Sequence, residues 1–190
     1  MKIALYFGSF NPIHIGHLII ANHVLNHCDV KQLWFVVSPH NPLKETSSLL
    51  KENHRYRLVQ LAVDSEPKFR ASNFEFKLPR PSYTIDSMTY LSEKYPQHEF
   101  QILMGGDSFS NIKKWKNYQT LINQYKLLIY NRPGFEIDKT ISSNIEILDA
   151  PLLDISSTYI RSMIRQKKSI RYLVPDIVMN EILSNHFYQV

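Results

Sequence analysis

One cysteine, Cys28, in 190 residues excludes an intramolecular disulfide framework and fits a reducing compartment, so a cytoplasmic location is expected. No apolar run approaches the ~20 residues that a membrane-spanning helix needs, so no membrane partner is expected. The first apolar run is too short for a secretory leader and ends in a turn. No internal repeat, low-complexity tract or linker divides the chain. One domain over residues 1–190 is therefore expected, long enough to bury a sizeable core. What remains is ordinary for a soluble globular protein, with 44% hydrophobic and 21% charged residues. The formal charge of +5 and pI of about 9.2 suit a nucleic acid or a small polyanionic substrate equally well.

The most informative stretch lies at the start. Residues 3–7 read as a buried strand, which Gly8-Ser9-Phe10-Asn11-Pro12 breaks, and a helical period follows through Leu18, Ala21, Leu25 and Cys28. Strand, tight loop and helix place unpaired backbone amides and a partial positive charge at the helix start, a natural anion site. Gly8 lacks a Cβ and lets the backbone approach a bound group. His14 and His17, three apart, lie on one face and can address the same anion. His23 and His27 have the spacing of a metal pair, but no third ligand is near and a solvated helix face is the expectation.

Further along, residues 33–37 read as a second strand, followed by a proline-rich loop in which Lys44 can reach a phosphate. A helix is expected over 54–66, with Arg55 and Arg57 solvated, and a third strand over 69–76. Pro79-Arg80-Pro81 leads into Ser82-Tyr83-Thr84, where Ser82 or Thr84 would cap a helix carrying Ile85, Met88, Leu91 and Tyr95. A strand over 99–104 runs into Gly105-Gly106-Asp107, placed like nucleotide-site loops beyond strand C-termini. Strands over 126–130 and 145–148, a helix from Ile155-Ser156-Ser157-Thr158 and a last helix opened by Pro175-Asp176 complete the chain. Alternating strands and helices give an α/β fold, a single Rossmann-like domain with a mainly parallel sheet flanked by helices.

Gly8-Ser9-Phe10-Asn11-Pro12-Ile13-His14-Ile15-Gly16-His17 resembles the G-(S/T)-F-(D/N)-P-x-H-x-G-H signature of the His-x-Gly-His nucleotidyltransferase superfamily. Ile155-Ser156-Ser157-Thr158-Tyr159-Ile160-Arg161 resembles its second signature, I-S-S-T-x-(I/V)-R. Ser82-Tyr83-Thr84, with Gly105-Gly106-Asp107 followed by Trp115, is similar to the bacterial nicotinate-nucleotide adenylyltransferases over nearly the whole chain. That resemblance implies in-line transfer of the adenylyl group of ATP to nicotinate mononucleotide, with no covalent intermediate, giving nicotinate adenine dinucleotide and pyrophosphate in NAD biosynthesis. It implies catalytic roles for His14, His17 and Arg161, and nucleotide contacts at Gly8, Ser9, Phe10, Gly105, Asp107, Ser156, Ser157 and Thr158. Lys44, Ser82, Tyr83, Thr84, Trp115 and Lys116 would bind the acceptor, with the backbone of Thr84 and Lys116 at its carboxylate and Trp115 against its pyridinium ring. Mg²⁺ would be carried on ATP rather than by the protein, since no carboxylate cluster is present.

Two departures stand out: Leu43 where many relatives have the histidine of Pro-His-Lys, and Lys116 where they often have tyrosine. Three alternatives remain open. A phosphopantetheine adenylyltransferase would share both signatures without needing Ser-Tyr-Thr or the tryptophan. A nucleic-acid-binding module could use Arg161, Arg165, Lys167, Lys168 and Arg171, but no stacking aromatics alternate with them, so no nucleic-acid partner is expected. A non-catalytic nucleotide sensor would not need the intact histidines. Oligomeric state, and the preference for nicotinate over nicotinamide, leave no local signal.

Overall fold

The computed structural model describes residues 1–39, 48–151 and 153–189. In chain order the elements are β1 (Lys2–Gly8), α1 (Ile15–His27), β2 (Gln32–Val37), α2 (Glu52–Val63), β3 (Phe69–Ser72), α3 (Thr84–Lys94), β4 (Glu99–Gly105), α4 (Gly106–Phe109), α5 (Tyr118–Gln124), β5 (Lys126–Tyr130), β6 (Ile145–Leu148), α6 (Ser157–Arg165) and α7 (Asp176–Ser184). The strands form one sheet in the order β3-β2-β1-β4-β5-β6, and every pairing between them is parallel. Strand order reverses beside β1, which is where ligands sit in doubly wound sheets, beyond the carboxyl ends of the strands.

The central strands are apolar because both faces are covered. Alternate side chains of β1 go to opposite layers. Ala4 and Tyr6 join the layer built with α1, α2, α6 and α7, while Ile3 and Leu5 join the layer built with α3 and α5. Leu5 is paired with Trp34 on one side and Ile102 on the other, so β1 is the spine of the molecule. Its C-terminal end at Gly8 delivers the first signature to the middle of the sheet edge.

Three expectations need correction. The third strand is only Phe69–Ser72, because Asn73 turns the chain into a 3₁₀ turn over Phe74–Lys77. Phe74 and Phe76 would share one face in a strand, but the turn sends them into opposite layers. Arg55 is not solvated: it is fully buried. Its guanidinium donates to the carbonyls of Ser9 (2.6 Å), Ser38 (2.8 Å), Pro39 (2.9 Å) and Leu50 (2.8 Å). Strand ends leave carbonyls without ladder partners, and one planar five-donor group satisfies those of two loops at once. Pro175 is the N-cap of α7 rather than its first-turn residue.

Candidate active site

A cleft of about 620 Å³ opens beyond the carboxyl ends of β1, β4 and β5. Every site residue expected from the sequence lines it except Lys44, which lies outside the described residues: Gly8, Ser9, Phe10, His14, His17, Ser82, Tyr83, Thr84, Gly105, Asp107, Trp115, Lys116, Ser156, Ser157, Thr158 and Arg161. Chain ends far apart in sequence meet here because the crossover helices return each strand in the same direction.

The first wall is the loop from β1 into α1. Phe10 has a left-handed backbone (φ 44°), uncommon for an aromatic residue, and its ring folds back over Gly8. A Cβ on Gly8 would lie 2.9 Å from that ring. Packing of Phe10 by itself therefore calls for glycine there. Phe10 itself is almost completely buried and stands edge-on to His17, with ring centroids 5.1 Å apart. Gly16 makes room for His14, whose Nδ1 would be 3.1 Å from an added Cβ.

The two imidazoles are stacked, with centroids 3.6 Å apart, so they share a face as the spacing implied. The His14 amide donates to His17 Nδ1 at 3.2 Å, a bond pattern that puts the proton of neutral His17 on Nε2. His14 Nδ1 is buried and has no hydrogen-bond partner among the described residues. Burial, and then the charge of Arg132, push the His14 pKa down to about 4. The unfolded chain therefore binds more protons than the folded one between pH 4 and 6.5. Stability present above about pH 6.5 is lost as the pH falls toward 4, by at most ~3 kcal/mol. His14→Asn is expected to flatten the acid-side fall of the melting temperature of the unliganded protein. Identical pH slopes in variant and wild type would show that the His14 environment does not matter.

The second signature closes the same wall. Ser156 is the N-cap of α6 and accepts from the Tyr159 amide at 3.2 Å, which leaves its own proton available. Ser157 Oγ donates to the Pro12 carbonyl at 2.8 Å, so that hydroxyl proton joins the two signatures and is not offered to a ligand. Arg161 Nη1 donates to the Asn11 carbonyl at 2.8 Å and Nη2 to Thr158 Oγ1 at 3.2 Å. Its Nε is buried with no hydrogen-bond partner among the described residues. Buried polar atoms without partners call for an explanation, and a bound anion supplies one.

The opposite wall is the start of α3 and the segment after Ile112–Lys114. The expected cap is absent: the N-cap of α3 is Tyr83 and no side chain accepts from the first turn. Ser82 Oγ instead donates to Glu75 Oε2 at 3.2 Å, because a buried carboxylate is the stronger acceptor. First-turn amides of α3 thus have no side-chain acceptor at the cleft. Trp115 is half-buried, packed against the α3 layer while lining the cleft. Lys116 Nζ lies 2.8 Å from Asp86 Oδ2 and 5.0 Å from the Tyr83 ring centroid, which fastens the Trp115-Lys116 segment to the Ser-Tyr-Thr segment.

Sequence reasoning missed Tyr6, Asn11, Glu75, Lys114, Tyr130 and Arg132, all of which line the cleft. Arg132 was within reach of the rule that singled out Asp107, since it lies just past a parallel strand. It sits 3.8 Å from Asp107 Oδ1. The Tyr6 and Tyr130 hydroxyls, 3.0 Å apart, are joined by pairing across the sheet and carry no local signal. Asn11 accepts from the Leu50 amide and donates to the Ser48 carbonyl. The His23 and His27 rings are 4.3 Å apart, but among the described residues no group of three or more His, Cys, Asp or Glu could hold a metal ion. Nor is any helix among those residues long and apolar enough to cross a membrane.

Comparison with known proteins agrees with this geometry. Residues 5–163 match the family model described as cytidylyltransferase-like. A protein of Cytophaga hutchinsonii named "probable nicotinate-nucleotide adenylyltransferase" is 49% identical over 99% of this chain and 98% of its own. One of the same name from Flavobacterium johnsoniae is 45% identical over the full length of both. Among solved structures, the nicotinic acid mononucleotide adenylyltransferase of Plasmodium falciparum, complexed with NaAD, superposes with a TM-score of 0.83 at 20% identity, over 98% of this chain and 97% of that one. That last likeness establishes the common fold, and the closer sequence relatives establish the rest: the chain belongs to the cytidylyltransferase-like family and, within it, to the nicotinate-nucleotide adenylyltransferases.

Proposed function

We propose that this protein transfers the adenylyl group of ATP, as its Mg²⁺ complex, to nicotinate mononucleotide, giving nicotinate adenine dinucleotide and pyrophosphate. The observation that carries the reading is the joining of the two signatures, Ser157 to Pro12 and Arg161 to Asn11, across the cleft from the Tyr83–Lys116 wall. ATP lies along the signatures, with its phosphates between the starts of α1 and α6. The acceptor lies against α3 and Trp115. A 5′-phosphate oxygen of the acceptor attacks the α-phosphorus. The bond from that phosphorus to the bridging oxygen of the β-phosphate breaks, and that oxygen leaves with its electron pair on pyrophosphate.

Such transfer needs positioning and charge neutralisation rather than a covalent intermediate. Burial raises the Cys28 thiol pKa to about 11, so it is no nucleophile, and a cytoplasmic setting would keep it reduced. His17 Nε2 donates to the α-phosphate. Approach of the polyphosphate favours the protonated form of His14 that burial and the charge of Arg132 oppose. Arg161 takes the β- and γ-phosphates, and the α3 amides take the nicotinate carboxylate. Pyrophosphate release from ATP, measured in parallel with nicotinate mononucleotide, nicotinamide mononucleotide and phosphopantetheine, tests the reading. Turnover with the last alone would make the protein a phosphopantetheine adenylyltransferase.

Trp115 offers a ring face to the pyridinium cation, an interaction strengthened by desolvation. Trp115→Leu keeps apolar bulk without a π face and is expected to raise the acceptor KM about tenfold while leaving the ATP KM near normal. Trp115→Phe should recover part of the loss. A lower melting temperature with unchanged acceptor KM would make Trp115 a packing residue only.

A further inference from the structure

Glu75 is a buried acid at the cleft that the reaction above leaves without a task. It is 2% exposed yet lines the cleft. Ser87 Oγ donates to its Oε1 at 2.5 Å and Ser82 Oγ to its Oε2 at 3.2 Å, and the Ser38 hydroxyl bonds to it as well. Those hydroxyls come from three places: the end of β2, the residue before the N-cap of α3, and the first turn of α3 itself. Burial raises the carboxyl pKa above its usual range, while Ser87, Ser38 and Ser82 pull it back down. Neutral hydroxyls satisfy the group without a bonded cation. An apolar side chain could occupy such a position at less cost, so a retained buried acid needs a reason.

The reason lies in what it holds. The start of α3 has no side-chain cap, so its first-turn amides stay available to a ligand only if something else fixes the turn. We propose that Glu75 is a positioning residue for the acceptor: its carboxylate anchors Ser82 and Ser87 and so aims the uncapped amides of α3 at the acceptor's carboxylate. The proposal rests on the reading of the cleft as an adenylyltransferase site with its acceptor at α3. ATP, on the far wall, should not sense the change.

The test uses the full chain. Wild type is first assayed with the three acceptors named above, and the one turned over best is used afterwards. Glu75→Gln keeps the size of the side chain but replaces an acceptor oxygen with a donor. It is expected to raise the acceptor KM about tenfold, the loss of a charge-assisted bond, with the ATP KM changed less than about twofold. Ser82→Ala should shift the same constant. The double variant should be no worse than the poorer single, because both act through one turn. If Glu75→Gln does not fold, Ser87→Ala retains the charge, removes one of its donors and should still raise the acceptor KM selectively. Additive effects of Glu75→Gln and Ser82→Ala would overturn positioning in favour of direct contact. A melting-temperature loss with unchanged acceptor KM, or equal changes in both KM values, would make the network purely structural. Wild type that uses none of the three acceptors would overturn the underlying reading and this inference with it, a result distinct from any of these.

Discussion

Replacing His17 with alanine is expected to lower kcat by about 10²-fold or more, with smaller changes in the KM of either substrate. The structure gives this ring one orientation. Its Nδ1 accepts from the His14 amide, Phe10 and Tyr6 stand edge-on to it with centroids 5.1 Å and 5.8 Å away, and His14 is stacked on its face. A donor fixed before the reaction costs no reorganisation when charge builds on the α-phosphate oxygens, so its benefit falls in the transition state rather than in binding. Alanine removes the donor and leaves the His14 amide without its acceptor, while Phe10 and Tyr6 keep their mutual edge-on contact at 5.6 Å. Thermal stability should therefore fall modestly. A variant with kcat near wild type would remove His17 from the reaction.

How much of this was legible in the chain depended on range. The strand–loop–helix unit of residues 2–27 could be read because its signals are local: a short apolar run, breaking residues and a helical period. The same holds for the strand that carries Gly105 and for α6. Arg55 could not be read, because nothing in the sequence around it distinguishes a solvated arginine from one that meets the carbonyls of Ser9 and Ser38. Glu75 carries no local signal, and the turn after Asn73 brings it to its buried place. The cap of α3 was misplaced for the same reason, since the group that occupies Ser82 was unknown. The wall proposed for the acceptor joins Lys116 to Asp86 and Tyr83, a contact between segments thirty residues apart. Motif resemblance supplied Tyr83 and Lys116 but not Asp86, where local physics had no means to join them.

Arg161→Lys is expected to lower kcat/KM for ATP by on the order of 10²-fold while the acceptor KM changes little. Arg161 does two things that one ammonium cannot do together. Nη1 and Nη2 hold it to Asn11 and Thr158, tying the second signature to the first. Nε and the remaining Nη protons stay in the plane of the guanidinium, where a bidentate phosphate contact can form. Burial lowers its pKa from the ordinary arginine value, so the site holds a partly desolvated cation that an incoming polyphosphate would compensate. Lysine keeps the charge, but it must either retain the Asn11 carbonyl or turn to the phosphate, and it can present no fork to either. The deficit should follow the leaving group. Run in reverse, with the dinucleotide and pyrophosphate as substrates, the variant should show a raised KM for pyrophosphate and a nearly unchanged KM for the dinucleotide. Matching losses for both, together with a lower melting temperature, would mean that the Asn11 link alone had been broken and that Arg161 serves the fold rather than the phosphates.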